Sequence, residues 1–336
     1  MRRAVAGVSV INRISVIVPM LNEAAYVEQL ASDFALQDFA GEVEVIVADG
    51  GSTDGSVPLL LAEAERLGLT LRVIENPAGW VSQGLNRCIG VASGDLIVRA
   101  DCHSRYPADY LLRCAGTSEA TGADNVGGVV IARGRTPIER AVASAMDSPF
   151  GGIGWTRHET AGGPVEVDTV TFGAFRPEAF RRAGLFDESL RRNQDDEFNL
   201  RLRRHGGRIV LDPSIKLFYT PRGSLRAVFR QYFEYGRWKV AVMRKHSRVL
   251  GLRSLAPAAL VVSLLTLLAM AVIWPLGAWA LAVEIATYAA LAVGFGLRSL
   301  RRRHESVRLL PLVLAAYLAF HVGYGVGMLR GFASSE

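Results

Sequence analysis

ISVIVPMLNE, residues 14–23, is a nearly continuous β-branched run that stops at a proline and gives way to a polar turn. Such a run fits a strand buried on both faces, as in a parallel sheet covered by helices. The unit then repeats. VEVIVAD (43–49), TLRVIEN (70–76) and DLIVRAD (95–101) read as strands. NEAAYVEQLASDFA (22–35), with Asn22 as its cap, GSVPLLLAEAERLG (55–68), closed by Gly68, and VSQGLNRCIGVAS (81–93) read as helices. Four strands separated by helices imply βαβ units, and ligands of such sheets bind beyond the carboxyl ends of the strands.

Polar groups gather at those ends. The first strand delivers Pro19 to Glu23, the second DGGSTDG (49–55), and the fourth Asp101-Cys102-His103. DGGSTDG alone reads equally as a turn that caps the next helix; two other acidic strand ends beside it favour ligand binding. Asp101 and His103 suit a Mn²⁺-like ion, because a strand places positions i and i+2 on one face. A lone DxH can also be a hydrogen-bonded turn. NQDDEF (193–198) adds Asp195, Asp196 and Glu197 at an expected helix start. Negative charge is favoured there in any case, yet a carboxylate so placed can also take a proton from an acceptor hydroxyl.

Between these motifs, 136–146 reads as a helix and 148–167, rich in Gly, as a loop over the site. A helix within 211–246 carries Leu225, Val228, Phe229, Tyr232, Phe233 and Trp238 among Arg and Lys. It reads as lying in a membrane interface, with a buried core helix as the other reading.

The remainder is nearly charge-free. Residues 256–274, 276–297 and 309–329 can each cross a hydrocarbon core of ~30 Å, which takes about 20 helical residues. The basic stretches 244–253 and 298–308 flank them and place both on the cytoplasmic side. The expected organisation is a cytosolic domain over 1–222, an amphipathic region over 223–253 and a membrane domain over 254–330. The apolar run near the N-terminus is short for a signal peptide. Three cysteines without CxxC spacing argue against a disulfide framework. Much of the net charge of +6 lies beside the apolar segments, so membrane lipid rather than nucleic acid is the expected partner.

In this order and spacing, VIVPMLNE, DGGSTDG, SGDLIVRAD and QDDEFNLRLR resemble the family 2 glycosyltransferases, whose catalytic domain has the GT-A fold. RADCHSRYP, FGAFRP and PRGSLRAVFRQYFEYGRW resemble in particular succinoglycan-type exopolysaccharide glucosyltransferases with C-terminal membrane helices. The resemblance implies an α/β domain with a mixed, mainly parallel sheet. It implies inverting transfer of a hexose, glucose from a UDP-sugar, onto a polyprenyl-linked saccharide at the inner membrane, with Mn²⁺ or Mg²⁺ on the diphosphate. Pro19, Asn22, Glu23, Asp49, Gly51 and Asp101 would hold the donor. Asp101 and His103 occupy the family's DxD and would bind the metal, and Asp195 occupies the base position of its ED pair. Asp196, Arg222, Gln231, Arg237 and Trp238 would contact acceptor or diphosphate.

Two departures stand out. His103 replaces the last Asp of DxD, and Gln194 replaces the Glu of the ED pair, which should leave Asp195 easier to ionise. Gln231 and Arg237-Trp238 lack the compact QxxRW of processive synthases, so addition of one sugar is expected. The rival readings are transfer to polyprenyl phosphate itself and an inactive nucleotide-sugar-binding scaffold. Glu284 and His321 fall inside apolar segments, where ionisable groups are costly and often functional.

Overall fold

The structure is a computed structural model that describes residues 10–151, 162–246 and 252–334. The chain forms two compact units, Met1–Ile131 with Thr156–Tyr219, and Ala132–Trp155 with Thr220–Glu336. In chain order it gives β1 (Arg13–Met20), α1 (Val27–Ala35), β2 (Glu42–Asp49), α2 (Ser56–Leu67), β3 (Leu71–Glu75), α3 (Val81–Val91) and β4 (Leu96–Arg99). There follow β5 (Ser104–Arg105), α4 (Tyr110–Thr121), β6 (Asn125–Ala132), α5 (Pro137–Met146), β7 (Val165–Glu166), β8 (Ala174–Phe175), α6 (Pro177–Ala183), α7 (Gln194–Arg204) and β9 (Ile209–Tyr219). Four long helices close the chain: α8 (Leu225–His246), α9 (Ala256–Ile273), α10 (Pro275–Arg302) and α11 (Leu310–Ala333).

In the first unit the strands lie in the order β3-β2-β1-β4-β8-β6-β9-β5, with β7 on β9. The first four are parallel, and β8 runs antiparallel between β4 and β6. This is the mixed sheet with flanking helices that the sequence implies. Ile14, Val16, Ile17 and Val18 of β1 are fully buried, as a central strand covered on both faces requires. From β1 the chain proceeds to β2 and β3 on one side and then to β4 on the other. The order therefore switches between β1 and β4, which opens the crevice where ligands of such sheets bind. Phe175, Phe180, Phe186 and Phe198 cluster with ring centroids 4.9–6.0 Å apart and fix α6 and α7 to β8. That packing sets the first turn of α7 over the same edge.

Two expectations are corrected. The first helix begins at Val27 after Tyr26, not at Asn22, whose φ of 55° is left-handed. Asp101 and His103 follow the end of β4 and lie in a turn closed by the Ser104 N–H on the Asp101 carbonyl at 3.2 Å. A turn, not strand alternation, aims them. Of the expected loop 148–167, residues 152–161 fall outside the described residues, as does 1–9 of the N-terminal stretch.

In the second unit α5 starts with a capping box between Thr136 and Glu139, with Pro137 in its first turn. It is tied to the long helices by the Arg140–Glu305 and Arg303–Asp147 ion pairs and by Ser299 Oγ donating to the Ser144 carbonyl at 2.5 Å. Val228, Tyr232, Gly236 and Val240 form the buried seam of α8, while Phe229 stays exposed. Arg253–Ile273, Pro275–Arg302 and Val307–Ala333 are long and apolar enough to cross a membrane. Both ionisable residues noted there have partners. Glu284 accepts from Ser263 Oγ at 2.6 Å, and His321 lies 2.9 Å from the Tyr288 hydroxyl and 2.8 Å from the Phe150 carbonyl oxygen.

Candidate active site

Two turns, from β1 and from β2, are laced together. In its left-handed conformation Asn22 accepts from the Thr53 N–H at 2.9 Å, while its own N–H donates to Ser52 Oγ at 2.8 Å. Ser52 Oγ–H donates to Asp49 at 2.6 Å, and the Gly51 and Ser52 N–H groups reach the same carboxylate at 3.1 Å each. Asp54 accepts from the Ala24 N–H at 2.9 Å, a further stitch between the two turns. Gly51, at φ 87° with open space where a Cβ would stand, is where the turn needs glycine. Asn22 is thus a positioning residue for both turns. Asp49 keeps acceptor capacity beyond these bonds, because two carboxylate oxygens offer about four lone pairs. Pro19 lies opposite Ala48 in the β1–β2 register, one step before this lacing.

The DCH turn stands next to it. His103 Nε2 is 3.2 Å from Glu23 Oε2, and its ring centroid is 4.5 Å from that of Tyr26. The Asp101 N–H donates to the Tyr106 hydroxyl at 2.8 Å, and the Asp101 side chain remains 33% exposed. Among the described residues no three His, Cys, Asp or Glu converge as a self-sufficient metal cluster. One carboxylate and one imidazole nonetheless fit an ion of the Mg²⁺ or Mn²⁺ type, which keeps waters and takes its other oxygens from substrate phosphates.

The third station comes from α7. Successive helical residues point about 100° apart, so the three acids divide. Glu197 is buried and pairs with Arg201 at 2.8 Å, and Asp196 accepts from Thr169 Oγ1 at 3.2 Å. Asp195 pairs with Arg99, the last residue of β4. That guanidinium is buried, lies 3.5 Å from Asp101, and has its carbon 5.6 Å from the Phe172 ring centroid. It is shared between the carboxylate that follows β4 and the one that opens α7.

Burial raises the Asp195 pKa above the usual aspartate value against the opposing pull of Arg99, and Asp101 and Asp196 add to the rise. Gln194 adds no further like charge beside Asp195, and the rise comes from burial together with Asp101 and Asp196. Burial works against the Arg99 charge as well, but Asp195 and Asp101 outweigh it and raise that pKa. Arg99 was not among the residues read from the sequence. Its signal was a lone Arg in an apolar strand two positions before an acid. A second missed contact stacks Arg191 on Trp80, 3.9 Å from the ring centroid, and ties the approach to α7 to the start of α3.

The first unit thus brings Pro19, Asn22, Glu23, Asp49, Gly51, Asp101, His103, Asp195 and Asp196 to the carboxyl edge of its sheet. Arg222, Gln231, Arg237 and Trp238 belong to the second unit. There Gln231 donates to the Tyr235 hydroxyl at 2.9 Å, Trp238 to Glu234 at 3.1 Å, and the Arg237 guanidinium lies 5.8 Å from the Trp238 ring centroid.

Residues 15–189, which carry most of this edge, match the family profile described as glycosyl transferase family 2. The chain belongs to this family. It is 30% identical to the succinoglycan biosynthesis protein ExoA of Rhizobium meliloti (strain 1021), over 94% of this chain and 93% of the relative. It is 24% identical, over 70% and 75% respectively, to a Methanococcus voltae transferase named for dolichyl N-acetyl-α-D-glucosaminyl phosphate. Among solved structures it resembles the mannosyltransferase PcManGT from Pyrobaculum calidifontis, in complex with GDP-Man and Mn²⁺, at a TM-score of 0.65 and 20% identity over 95% and 90% of the two chains. The S. aureus TarS 1–349 complex with UDP follows at 0.53 and 16% over the same shares. These neighbours share the GT-A fold. The family 2 transferase described here thus has the fold that its motifs implied.

Proposed function

We propose that the protein is a metal-dependent, inverting hexosyltransferase that moves one sugar from a nucleotide diphosphate, UDP-glucose in the leading form, to a polyprenyl-linked saccharide in extracellular polysaccharide or envelope glycan synthesis. The observation that carries this reading is the single buried guanidinium of Arg99 between Asp101 and Asp195. It brings the Asp101 carboxylate and a carboxylate at a helix start to one crevice at the sheet's switch point.

Asp49 and the Asn22-stabilised turns would receive the nucleoside, with Asp49 as an acceptor for base or ribose donors. Asp101 and His103 would hold the metal, with His103 oriented by Glu23. A bound divalent ion would neutralise the leaving diphosphate. Asp195 takes the proton of the acceptor hydroxyl as that oxygen bonds to the anomeric carbon; the bond to the diphosphate breaks and the electron pair leaves with the nucleotide. Attack opposite the leaving group inverts the centre. Asp196 and, from the second unit, Arg222, Gln231, Arg237 and Trp238 are proposed contacts for acceptor or diphosphate.

The dolichyl-linked substrate in the name of the M. voltae relative supports a lipid-linked acceptor. Apolar C-terminal helices support attachment to the inner membrane with the catalytic domain, 1–222, in the cytoplasm. The test is to incubate membranes containing the protein with labelled UDP- and GDP-sugars and lipid extract, with Mn²⁺, Mg²⁺ or EDTA. Label should enter lipid only with a metal present. Consumption of no donor, where an active relative works in parallel, overturns the transferase reading. Transfer to bare polyprenyl phosphate that survives Asp195→Asn identifies a phosphate acceptor instead.

A further inference from the structure

The second unit bears on which helices enter the bilayer. α8 and α11 run side by side in the same direction, and their contacts advance in step. A Cβ at Gly323 would stand 2.8 Å from the Phe229 carbonyl oxygen, at Gly327 2.0 Å from that of Phe233, and at Gly331 2.9 Å from that of Arg237. At the far end Arg244 of α8 donates to the carbonyls of Phe332 at 2.8 Å and Ser334 at 2.5 Å. Wherever the second half of α11 lies, α8 lies with it.

α8 is not a helix for hydrocarbon. It carries Arg230, Glu234, Arg237, Lys239, Arg244 and Lys245 along the stretch that accompanies α11, and each is costly in a bilayer core. The first half of α11 is sheathed too. Val313, Ala316, Tyr317 and Phe320 are buried, and the Phe150 ring meets Tyr317 and His321 edge-on at 5.0 and 4.9 Å.

α9 and α10 differ. They form an antiparallel hairpin, with Gly277 against Met270 and Glu284 bonded to Ser263. Leu265, Leu268, Val272, Ile273, Trp279 and Val283 stand exposed along it. The last turns of α10 leave this apolar zone, since Ser299 is buried and bonded to α5.

We propose that the α9–α10 hairpin alone enters the bilayer, and that α11, although long and apolar enough, does not cross it. The C-terminal end at Ser334 then faces the same side as the catalytic unit, against the three crossings that hydropathy suggests. This inference rests on the proposed membrane attachment, which is read first: recovery of the protein in a detergent-free high-speed supernatant overturns that attachment and the inference with it. The direct experiment places a cysteine at Ser334→Cys and, as a catalytic-side reference, at the exposed Glu65→Cys, in full-length protein whose native Cys88, Cys102 and Cys114 are buried. Right-side-out and inside-out vesicles are then treated with a membrane-impermeant maleimide. Labelling of both positions from the same face is expected; labelling from opposite faces overturns the proposal. C-terminal fusions answer independently of labelling. Fluorescent GFP with inactive alkaline phosphatase supports it, and the reverse pair overturns it.

Discussion

Arg99 and Asp195 form an ion pair although 96 positions separate them, the first closing β4 and the second opening α7. Arg99 is buried and the Asp195 side chain is only 16% exposed, and the same guanidinium approaches Asp101. Taking away one partner leaves an uncompensated charge in low dielectric, which costs about 3–5 kcal/mol. Arg99→Met should therefore lower the melting temperature sharply and abolish transfer. Adding Asp195→Asn to it should restore part of the stability and none of the activity. Thermal unfolding of the two singles and the double, read as a double-mutant cycle, checks this; strictly additive losses would contradict the pairing.

A second consequence concerns pH. Because burial raises the Asp195 pKa, this carboxyl takes up its proton at a higher pH than a free aspartate, ordinarily near 3.9. As the proposed base it is lost as pH falls through the raised value, so the acid limb of kcat/KM should lie above the ordinary aspartate range. The stability effect has the opposite sign: protonation relieves the desolvated charge, and this group's contribution is fully present below its unfolded pKa and lost as pH rises through the folded one. Asp195→Asn should reduce transfer to a hydroxyl acceptor by about 10²–10⁴-fold and remove the acid limb.

His103 provides a metal test. His103→Asp keeps a ligand at the DCH turn and should keep Mn²⁺-dependent activity, whereas His103→Ala should raise the Mn²⁺ concentration for half-maximal rate by about 10-fold or more. Glu23→Gln, which disturbs the 3.2 Å contact that orients the ring, should shift the same midpoint in the same direction. Loss of activity in both His103 variants, at every metal concentration, would assign the ring to the sugar instead.

The glycine ridge of α11 supplies a mechanical prediction. Gly327→Val places a side chain against the Phe233 carbonyl, where a Cβ alone would stand 2.0 Å away. Overpacking of this kind costs about 1–3 kcal/mol. Unfolding in detergent should shift downward accordingly, while Gly294→Ala, at an open position on α10, should leave the transition in place.

The alternation of β1 to β4 with three helices was readable because β1, β2 and β4 carry buried apolar runs, while the half-buried edge strand β3 still stands as a short apolar segment between two amphipathic helices. β9 was not. Its Asp212-Pro213-Ser214 interrupts the pattern, yet Ile215 and Leu217 alternate inward against exposed Lys216 in the finished strand. The acidic stations were legible as strand ends and a helix start, but their geometry was not. Asn22 looks like a helix cap because Asn commonly is one; here its left-handed backbone serves the neighbouring turn. The i, i+2 spacing of Asp101 and His103 suggests a strand face, while the chain has already turned. Gln194 bears on Asp195 only locally, whereas burial, the largest influence on that carboxyl, comes from the tertiary fold and has no local signal in the sequence. Arg99 was hidden for the same reason, since its meaning depends on a helix 96 residues away.

The lacing of the turns after β1 and β2, the proposed nucleotide site, has a practical corollary for anyone re-engineering donor choice. Residues 20–24 and 49–56 hold one another through Asn22, Ser52, Thr53 and Asp54, so neither turn has a shape of its own to export. A graft from a relative with another sugar preference should succeed only as a matched cassette of both turns, and single-turn chimeras should lose donor affinity whichever parent they come from.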